Sequence, residues 1–206
     1  MRPILSNQKQ RAGEILSKAF REVPGVLWIV KKDGRVHSRL KALCSYCIDV
    51  ATMKDGAFIT SDEKGVALIF KSNKRQPVLQ WLNGFFFLAT HAVGWSRMWS
   101  MIQRERLIKG KRMKQEHLYF WMMGVEDNSN GLQTVMEIRD HMVQLSKEHA
   151  LPIISETTVP RNLRTYQRYG FRVYDECYVP SEDLTIWFLV RDRDAEVLPE
   201  RLSKAC

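Results

Sequence analysis

Apolar residues recur along the chain at two spacings, which predict helices and strands in alternation. Apolar residues three and four positions apart predict amphipathic helices over 8–21, 40–51 and 132–149. Short apolar runs between glycines, prolines and polar clusters are typical of strands. The predicted strands are 26–30, 57–60, 66–70, 117–125, 153–158, 172–175 and 185–190. This alternation indicates an α/β or α+β fold, in which helices pack on a mixed sheet.

Two segments refine this picture. The run 117–125 is almost continuously apolar, which is typical of a central strand that is buried on both faces. The segment 77–115 is helical in pattern, and we expect its aromatic residues to fill a core rather than to line a pocket. These residues are Trp81, Phe85, Phe86, Phe87, Trp95 and Trp99. The length of 206 residues favours one domain over 1–206, with a charged, peripheral tail at 191–206.

The chain is basic, with a formal net charge of +9. This charge fits either a solvated basic surface or an anionic partner such as a nucleic acid, a membrane surface or a polyphosphate cofactor. Positive charge is concentrated in 104–114, but no nucleic-acid motif accompanies it, so a nucleic acid is disfavoured. The longest apolar run, 84–95, is shorter than the roughly 20 residues that span a bilayer. Residues after Met1 lack the apolar core of a secretory leader. We therefore expect a cytoplasmic protein with no membrane partner.

Two of the four cysteines, Cys44 and Cys47, form a CxxC motif, which can be half of a metal or redox site. Both sulfurs fall on the apolar stripe of a predicted helix, and no second CxxC or matching Cys/His pair occurs in the sequence. The pattern favours two small buried residues. No metal site is predicted.

The stretch 153–171 carries the candidate chemistry. A β-branched strand leads to Pro160, which suits the first turn of a helix, and Gly170 suits the end of that helix. Asn162 and Tyr166 lie four residues apart in this short helix, so they share one face of it. Phe171 begins another apolar run.

The segment 117–171 resembles the GNAT superfamily, the acyl-CoA-dependent N-acyltransferases. The resemblance is carried by the apolar strand ending at Met123-Gly124-Val125, by the polar loop before a long helix, and by the spacing of Asn162, Tyr166 and Gly170-Phe171. It implies a GNAT-like, mostly antiparallel twisted sheet flanked by helices. The helical segment 77–115 would be an insertion, since the family has little at this place.

The resemblance also implies roles for particular residues. The strand at 118–125 would splay from the strand at 153–158 and leave a cleft for the pantetheine of acetyl-CoA. Backbone groups of the segment Met123, Gly124 and Val125 would pair with pantetheine. Asn162 would bind near it, and Tyr166 would protonate the departing thiolate. The phosphate-binding loop would consist of Asn128, Ser129, Asn130, Gly131, Leu132 and Gln133.

This loop departs from the family pattern. The family usually has Gln or Arg, two residues, Gly, one residue, and then Gly or Ala. Here Asn128 stands in the first place, Gln133 in the last, and Gly131 is the one glycine. Glycines in such loops let backbone amides approach phosphates closely, so the departure predicts that binding of acyl-CoA is weak, altered or lost.

A general base is needed as well, because an amine nucleophile must lose a proton. Glu126, after the central strand, and Glu156, on the neighbouring strand, are the carboxylates expected nearest the cleft, and His117 and His141 are weaker candidates.

The resulting hypothesis is an N-acetyltransferase that transfers an acyl group from acetyl-CoA, or from another acyl-CoA, to a small-molecule or peptide amine, without a metal. The alternative is a non-catalytic GNAT-like domain that binds a ligand or regulates, with weakened CoA binding. A homodimer is left open.

Overall fold

A computed structural model describes residues 1–74, 77–126, 131–180 and 182–195. It contains a seven-stranded sheet. The strands are β1 (Arg2–Pro3), β2 (Ala57–Ile59), β3 (Gly65–Lys71), β4 (Leu118–Val125), β5 (Ile153–Thr157), β6 (Arg172–Val179) and β7 (Leu184–Arg191). The helices are α1 (Lys9–Ala19), α2 (Pro24–Leu27), α3 (Val36–Met53), α4 (Val78–Phe87), α5 (Trp95–Lys111), α6 (Gly131–His149) and α7 (Pro160–Arg168).

The sheet is mixed and mostly antiparallel, as the sequence predicted. Its strand order is β1-β2-β3-β4-β5-β7-β6, and β4 and β5 form its parallel pair. Two faces of the sheet are covered. Helices α1 and α3 and the π-helical turn Leu88–Ala92 pack on one face, and α6 and α7 pack on the other. We call these the α3 face and the α6 face. Helix α5 also lies on the α3 face, where Met98 joins the core.

Local sequence accounts for most of these elements. In α1, Ala12, Ile15 and Leu16 are buried at helical spacing. Pro160 occupies the first turn of α7, and Gly170 takes a φ of 83° just after it, a left-handed conformation that glycine adopts without a steric penalty. Strand β4 is buried on both faces along most of its length, as expected of a central strand.

The predicted strand at 26–30 is wrong. Residues Pro24–Leu27 form α2, and the amides of Trp28 and Ile29 donate to the carbonyls of Pro24 and Val26. The chain is tightly packed here, because a Cβ added to Gly25 would lie 2.8 Å from the side chain of Thr158. Periodicity cannot separate a short buried helix from a buried strand, and the first-turn preference of Pro24 decided the outcome.

The expectation that the aromatics of 77–115 fill a core is also wrong for most of them. Helix α4 contains no buried residue, and Trp81, Phe86, Trp95 and Trp99 are each more than half exposed. Helix α4 is apolar apart from Gln80, Asn83 and Gly84, so its wide apolar surface gave no indication of how little of it is buried.

Cys44 and Cys47 are buried in the core of the α3 face, as the sequence predicted. Burial raises the pKa of the Cys44 thiol to about 12, so it stays an unreactive thiol. No helix in the described ranges is both long and apolar enough to cross a membrane.

Candidate active site

The site forms where β4 and β5 separate. The two strands pair in register at Leu118 with Ile153 and at Tyr119 with Ile154. Beyond these pairs both strands continue without pairing to each other. Opposite β3, Leu68 pairs with Met122 and Ile69 with Phe120, so Trp121 is an extra residue in β4. Such a bulge bends a strand and increases its twist, which accounts for the divergence of β4 from β5.

Tyr166 lies at this point of divergence on the α6 face. Its hydroxyl is 3.2 Å from the Oγ of Ser155 on β5, and that Oγ donates a hydrogen bond of 3.0 Å to the backbone carbonyl of Phe120 on β4. A serine hydroxyl has one hydrogen, and here it points to Phe120. Tyr166 is therefore the donor to Ser155, and its proton is held between the two strands.

The protonation state of Tyr166 follows from its surroundings. Burial raises the pKa of this phenol above its ordinary value. Phe171 packs edge-on against the ring, with centroids 5.1 Å apart. The phenol is thus fixed and protonated at neutral pH, so it can act as a general acid toward a thiolate leaving group.

Glu156 follows Ser155 in the chain and points to the α3 face. Its carboxylate accepts bonds of 2.6 and 3.1 Å from the guanidinium of Arg112, and one of 2.8 Å from the hydroxyl of Tyr119. Arg112 also pairs with Glu105 at 2.9 Å. Burial raises the pKa of Tyr119 well above its usual value, and the charge of Glu156 adds to this rise. Glu156 is held by two donors rather than free.

Glu126 lies elsewhere. It pairs with Arg11 at 2.6 Å and with Lys18 at 3.7 Å, both on α1. The hydrogen bond from Arg11 lowers the pKa of Glu126. Of the two histidines, His117 lines the same cavity as Tyr166, and its Nδ1 contacts the carbonyl of Gln115 at 2.7 Å. His141 does not line this cavity and packs against Phe58. Burial lowers the pKa of both histidines.

The residues predicted to bind pantetheine divide into two groups. The side chains of Met123 and Asn162 line the cleft, and the amide side chain of Asn162 makes no hydrogen bond to any residue of the described chain. Gly124 faces the other way, because a Cβ there would lie 3.1 Å from Leu16 of α1. The side chain of Val125 packs in the core of the α6 face.

Half of the predicted phosphate-binding loop, Asn128, Ser129 and Asn130, lies outside the described residues. Gly131 is the first residue of α6, and a Cβ added there would meet nothing within 4 Å. Leu132 and Gln133 follow in the first turn and are exposed. The N-terminus of a long helix favours phosphate through its free amides and its dipole, so the described end of the loop fits the anionic end of CoA.

A cavity of about 1500 Å³ extends from the α6 face, through the gap between β4 and β5, to the α3 face. On the α6 face it is lined by Val135, Ile138, Arg139, Met142, Asn162 and Tyr166. On the α3 face it is lined by Tyr46, Lys54, Phe70, Phe85, Glu105 and Arg112. Glu156 and Met123 line it between these halves, whereas Glu126 does not. Its volume exceeds that of ordinary ligand pockets, which suits two substrates that meet in the middle.

Sequence reasoning missed three groups that the fold brings here. Ser155 was available as the polar residue inside the apolar strand that precedes Glu156. Arg112 and Tyr119 carried no such signal, since the partner of each is distant in the chain. No set of three or more His, Cys, Asp or Glu side chains that could hold a metal ion occurs in the described ranges.

Comparisons with known proteins agree with this geometry at the level of the fold. Sequence comparison found no matching family model and no significantly similar curated protein. Solved structures do match. A protein from Corynebacterium glutamicum, described as histone acetyltransferase HPA2 and related acetyltransferase, has a TM-score of 0.64 at 18% identity, covering 93% of this chain and 94% of its own.

Two insect enzymes match similarly. The polyamine N-acetyltransferase of Drosophila melanogaster has a TM-score of 0.62 at 12% identity, covering 93% of this chain and 98% of its own. Arylalkylamine N-acetyltransferase 2 of Aedes aegypti has a TM-score of 0.60 at 12% identity, covering 94% and 98%. This chain therefore has the fold of the GNAT acetyltransferases, as the sequence predicted.

Proposed function

We propose that this protein is an acyl-CoA-dependent N-acetyltransferase that transfers the acetyl group of acetyl-CoA to a primary amine. The observation that carries the proposal is the hydroxyl of Tyr166. It is protonated and bonded to Ser155, at the point where β4 and β5 stop pairing. The acetyltransferases of the same fold support the reaction class.

In this reaction the protein positions acetyl-CoA and supplies a proton to the leaving sulfur. The separated strands hold the pantetheine arm on the α6 face, with Met123 and Asn162 beside it, and α6 receives the phosphates at its N-terminus. Acetyl-CoA supplies the thioester, whose C–S bond breaks as the amine nitrogen bonds to the carbonyl carbon. Tyr166 gives its proton to the sulfur that leaves. Ser155 keeps the phenol aimed at that place.

Glu156 is the proposed acceptor of the amine proton, directly or through a water. It lines the cavity on the face opposite Tyr166, whereas Glu126 is paired with α1 outside the cavity. Acid and base then act from opposite sides of the gap, so that the amine approaches the carbonyl from the α3 face. Arg112 and Tyr119 hold the carboxylate in place.

The test is Tyr166→Phe, with Tyr178→Phe as the matched control. Tyr178 is exposed and bonded to Asp183. Because general acid catalysis contributes about 10²–10⁴ in rate, we expect Tyr166→Phe to lower kcat/KM about a hundredfold with little change in the affinity for acetyl-CoA. Release of CoA thiol with tyramine, agmatine, spermidine and L-phenylalanine as acceptors measures this. Full activity of Tyr166→Phe would remove Tyr166 from the mechanism.

A second candidate function is a GNAT-shaped domain that binds a ligand without catalysis. The phosphate-binding loop, with its one glycine and with Gln133 in place of a small residue, favours this candidate. Titration calorimetry with acetyl-CoA separates the two. Binding at micromolar concentration supports the acetyltransferase, and no binding at millimolar concentration supports the non-catalytic domain.

A further inference from the structure

Lys54 is a half-buried lysine on the α3 side of the cavity. It follows the last residue of α3, and its ammonium lies 4.3 Å from the centroid of the Phe70 ring. Within the described residues it forms no ion pair. The neighbouring acid, Asp55, pairs with Lys74 instead. A lysine that lines a cavity without a carboxylate partner leaves its charge available to a ligand.

Other charged side chains lie near Lys54. Burial lowers the pKa of Lys54, and the charges of Arg112 and Lys109 lower it further, while Glu105 opposes them. All four side chains line the same cavity. Glu105 is already paired with Arg112. The α3 half of the cavity therefore has an excess of positive charge, which repels a polycation and attracts an anion.

Lys54 is too far from the phosphate end of the cleft to serve acetyl-CoA. Its neighbour Phe70 pairs with Tyr119 near the start of β4, whereas α6 begins beyond Val125 at the end of β4. At about 3.3 Å per residue, the stretch from Tyr119 to Val125 spans about 20 Å. Lys54 and α6 also lie on opposite faces of the sheet. An anion bound by Lys54 would therefore belong to the second substrate.

Aromatic side chains form part of the walls around Lys54. The side chains of Tyr46, Phe70, Phe85 and Trp121 line this half of the cavity. Glu156, the proposed proton acceptor, lines it toward the gap. A ligand with an amine, an apolar body and an anionic group would match Glu156, the aromatic side chains and Lys54, respectively.

We propose that the acceptor is an apolar primary amine that also carries an anionic group, carboxylate or phosphate, which Lys54 binds. An amino acid with an aromatic or aliphatic side chain is the simplest such compound. This proposal rests on the proposed function for the transfer step but not for binding. In that step the amine nitrogen bonds to the acetyl carbon, the C–S bond breaks, the thiolate takes the proton of Tyr166, and Glu156 takes one proton from the amine.

Paired acceptors test the proposal. L-Phenylalanine and phenethylamine differ by the carboxylate, and tyramine O-phosphate and tyramine differ by the phosphate. A charge-assisted hydrogen bond corresponds to roughly ten- to a hundredfold in affinity. We expect the wild-type protein to bind one anionic member that much more tightly than its neutral partner in titration calorimetry, and to acetylate it with higher kcat/KM. The pair that shows the difference identifies the anion.

Lys54→Met removes the charge and keeps the length of the side chain, and Lys54→Arg restores a charge. Lys41→Met is the matched control, because Lys41 is an exposed lysine on α3, the helix that Lys54 follows. We expect Lys54→Met to abolish the preference for the anionic member, Lys54→Arg to retain it, and Lys41→Met to leave it unchanged. A preference that persists in Lys54→Met would overturn the proposal.

Binding separates this proposal from the proposed function. If no amine is acetylated but an anionic amine binds through Lys54, the acetyltransferase fails and the anion site stands. If amines are acetylated and neutral members bind as tightly as anionic ones, the acetyltransferase stands and the anion site fails.

Discussion

At the scale of single residues, the site depends on how buried polar groups are paired. Tyr166, Ser155 and the carbonyl of Phe120 form one chain of hydrogen bonds across the gap, and Arg112, Tyr119 and Glu156 form a second on the other face. Each group satisfies another that is far away in sequence. Removing one member leaves its partner unsatisfied, which costs more free energy than the bond itself contributes.

The pair of Arg112 and Glu156 offers a direct test of this cost. Removing one partner of a buried ion pair leaves an uncompensated charge. We expect Arg112→Met to lower the free energy of unfolding by about 3 kcal/mol, at the low end for buried pairs, because both side chains keep some exposure. Urea denaturation at neutral pH measures it.

Two further variants complete this experiment. Arg106→Met, an exposed arginine on the adjoining helix α5, should change stability by less than about 0.5 kcal/mol. The double variant Arg112→Met with Glu156→Gln should recover part of the loss, because the buried carboxylate is then a neutral amide, while Glu105, the other partner of Arg112, is more than half exposed to solvent. A double variant less stable than Arg112→Met alone would contradict the account.

At the scale of elements, helix α1 lies unusually close to strand β4. A Cβ built on Gly124 would lie 3.1 Å from the Cδ2 of Leu16 and 3.2 Å from the Cβ of Ala19. This approach fixes α1 against the strand that forms one wall of the cleft. It also means that Gly124 is required for packing, whatever its backbone contributes to binding.

The corresponding prediction concerns two glycines. We expect Gly124→Ala to lower the free energy of unfolding by about 1–3 kcal/mol, the range for overpacked sites. Gly110→Ala is the control, since Gly110 lies within α5 with nothing within 4 Å of an added Cβ, and it should raise stability by about 0.5–1 kcal/mol. Thermal unfolding compares both with the parent. An unchanged Gly124→Ala would show that α1 shifts freely.

The elements also show what the sequence could and could not predict. Helices α1, α3 and α6 and strands β3 and β4 have strong one-sided or continuous apolar patterns, and they were predicted. Residues 26–30 were not, because a short apolar run after Pro24 has no period long enough to decide between helix and strand. The edge strand β1, at Arg2–Pro3, has almost no apolar signal.

Some residues of the candidate site could likewise be predicted from the sequence, and others could not. That Tyr166 and Asn162 lie together could be predicted because their spacing lies within one helix, and both line the cavity. Arg112 and Lys54 were not found, because their neighbours Glu156 and Phe70 come from distant elements. Spacing along the chain carries information only about residues that one element places together.

At the scale of the whole molecule, positive charge and an exposed apolar surface oppose each other. The net charge is +9, yet Trp81, Phe85, Phe86 and Trp95 form a connected group of rings on α4 and α5, with the Phe86 and Trp95 centroids 5.9 Å apart. Like charge keeps molecules apart, whereas an apolar patch of this kind promotes contact. Several basic residues of 104–114 are already paired internally, including Arg104 with Glu182 and Lys111 with Asp175.

The opposition between net charge and exposed apolar surface predicts self-association of the protein that increases with salt concentration. Salt screens charge and leaves apolar contact intact, so the average mass in sedimentation should rise between low and high sodium chloride. Phe86→Gln with Trp95→Gln should remove the rise. Both side chains are more than half exposed, so the unfolding midpoint should hardly change. An average mass that is independent of salt in the parent protein would contradict this prediction.

The separation of β4 from β5 also makes the sheet less resistant to force between these two strands. Within the sheet, the block β1 to β4 is joined to the block β5 to β7 through the short register of Leu118 with Ile153 and Tyr119 with Ile154. A pulling force applied across this seam loads few backbone bonds, so the sheet should open there first. A ligand that formed hydrogen bonds to both strands in the cleft would link the two blocks and raise the force at which they separate.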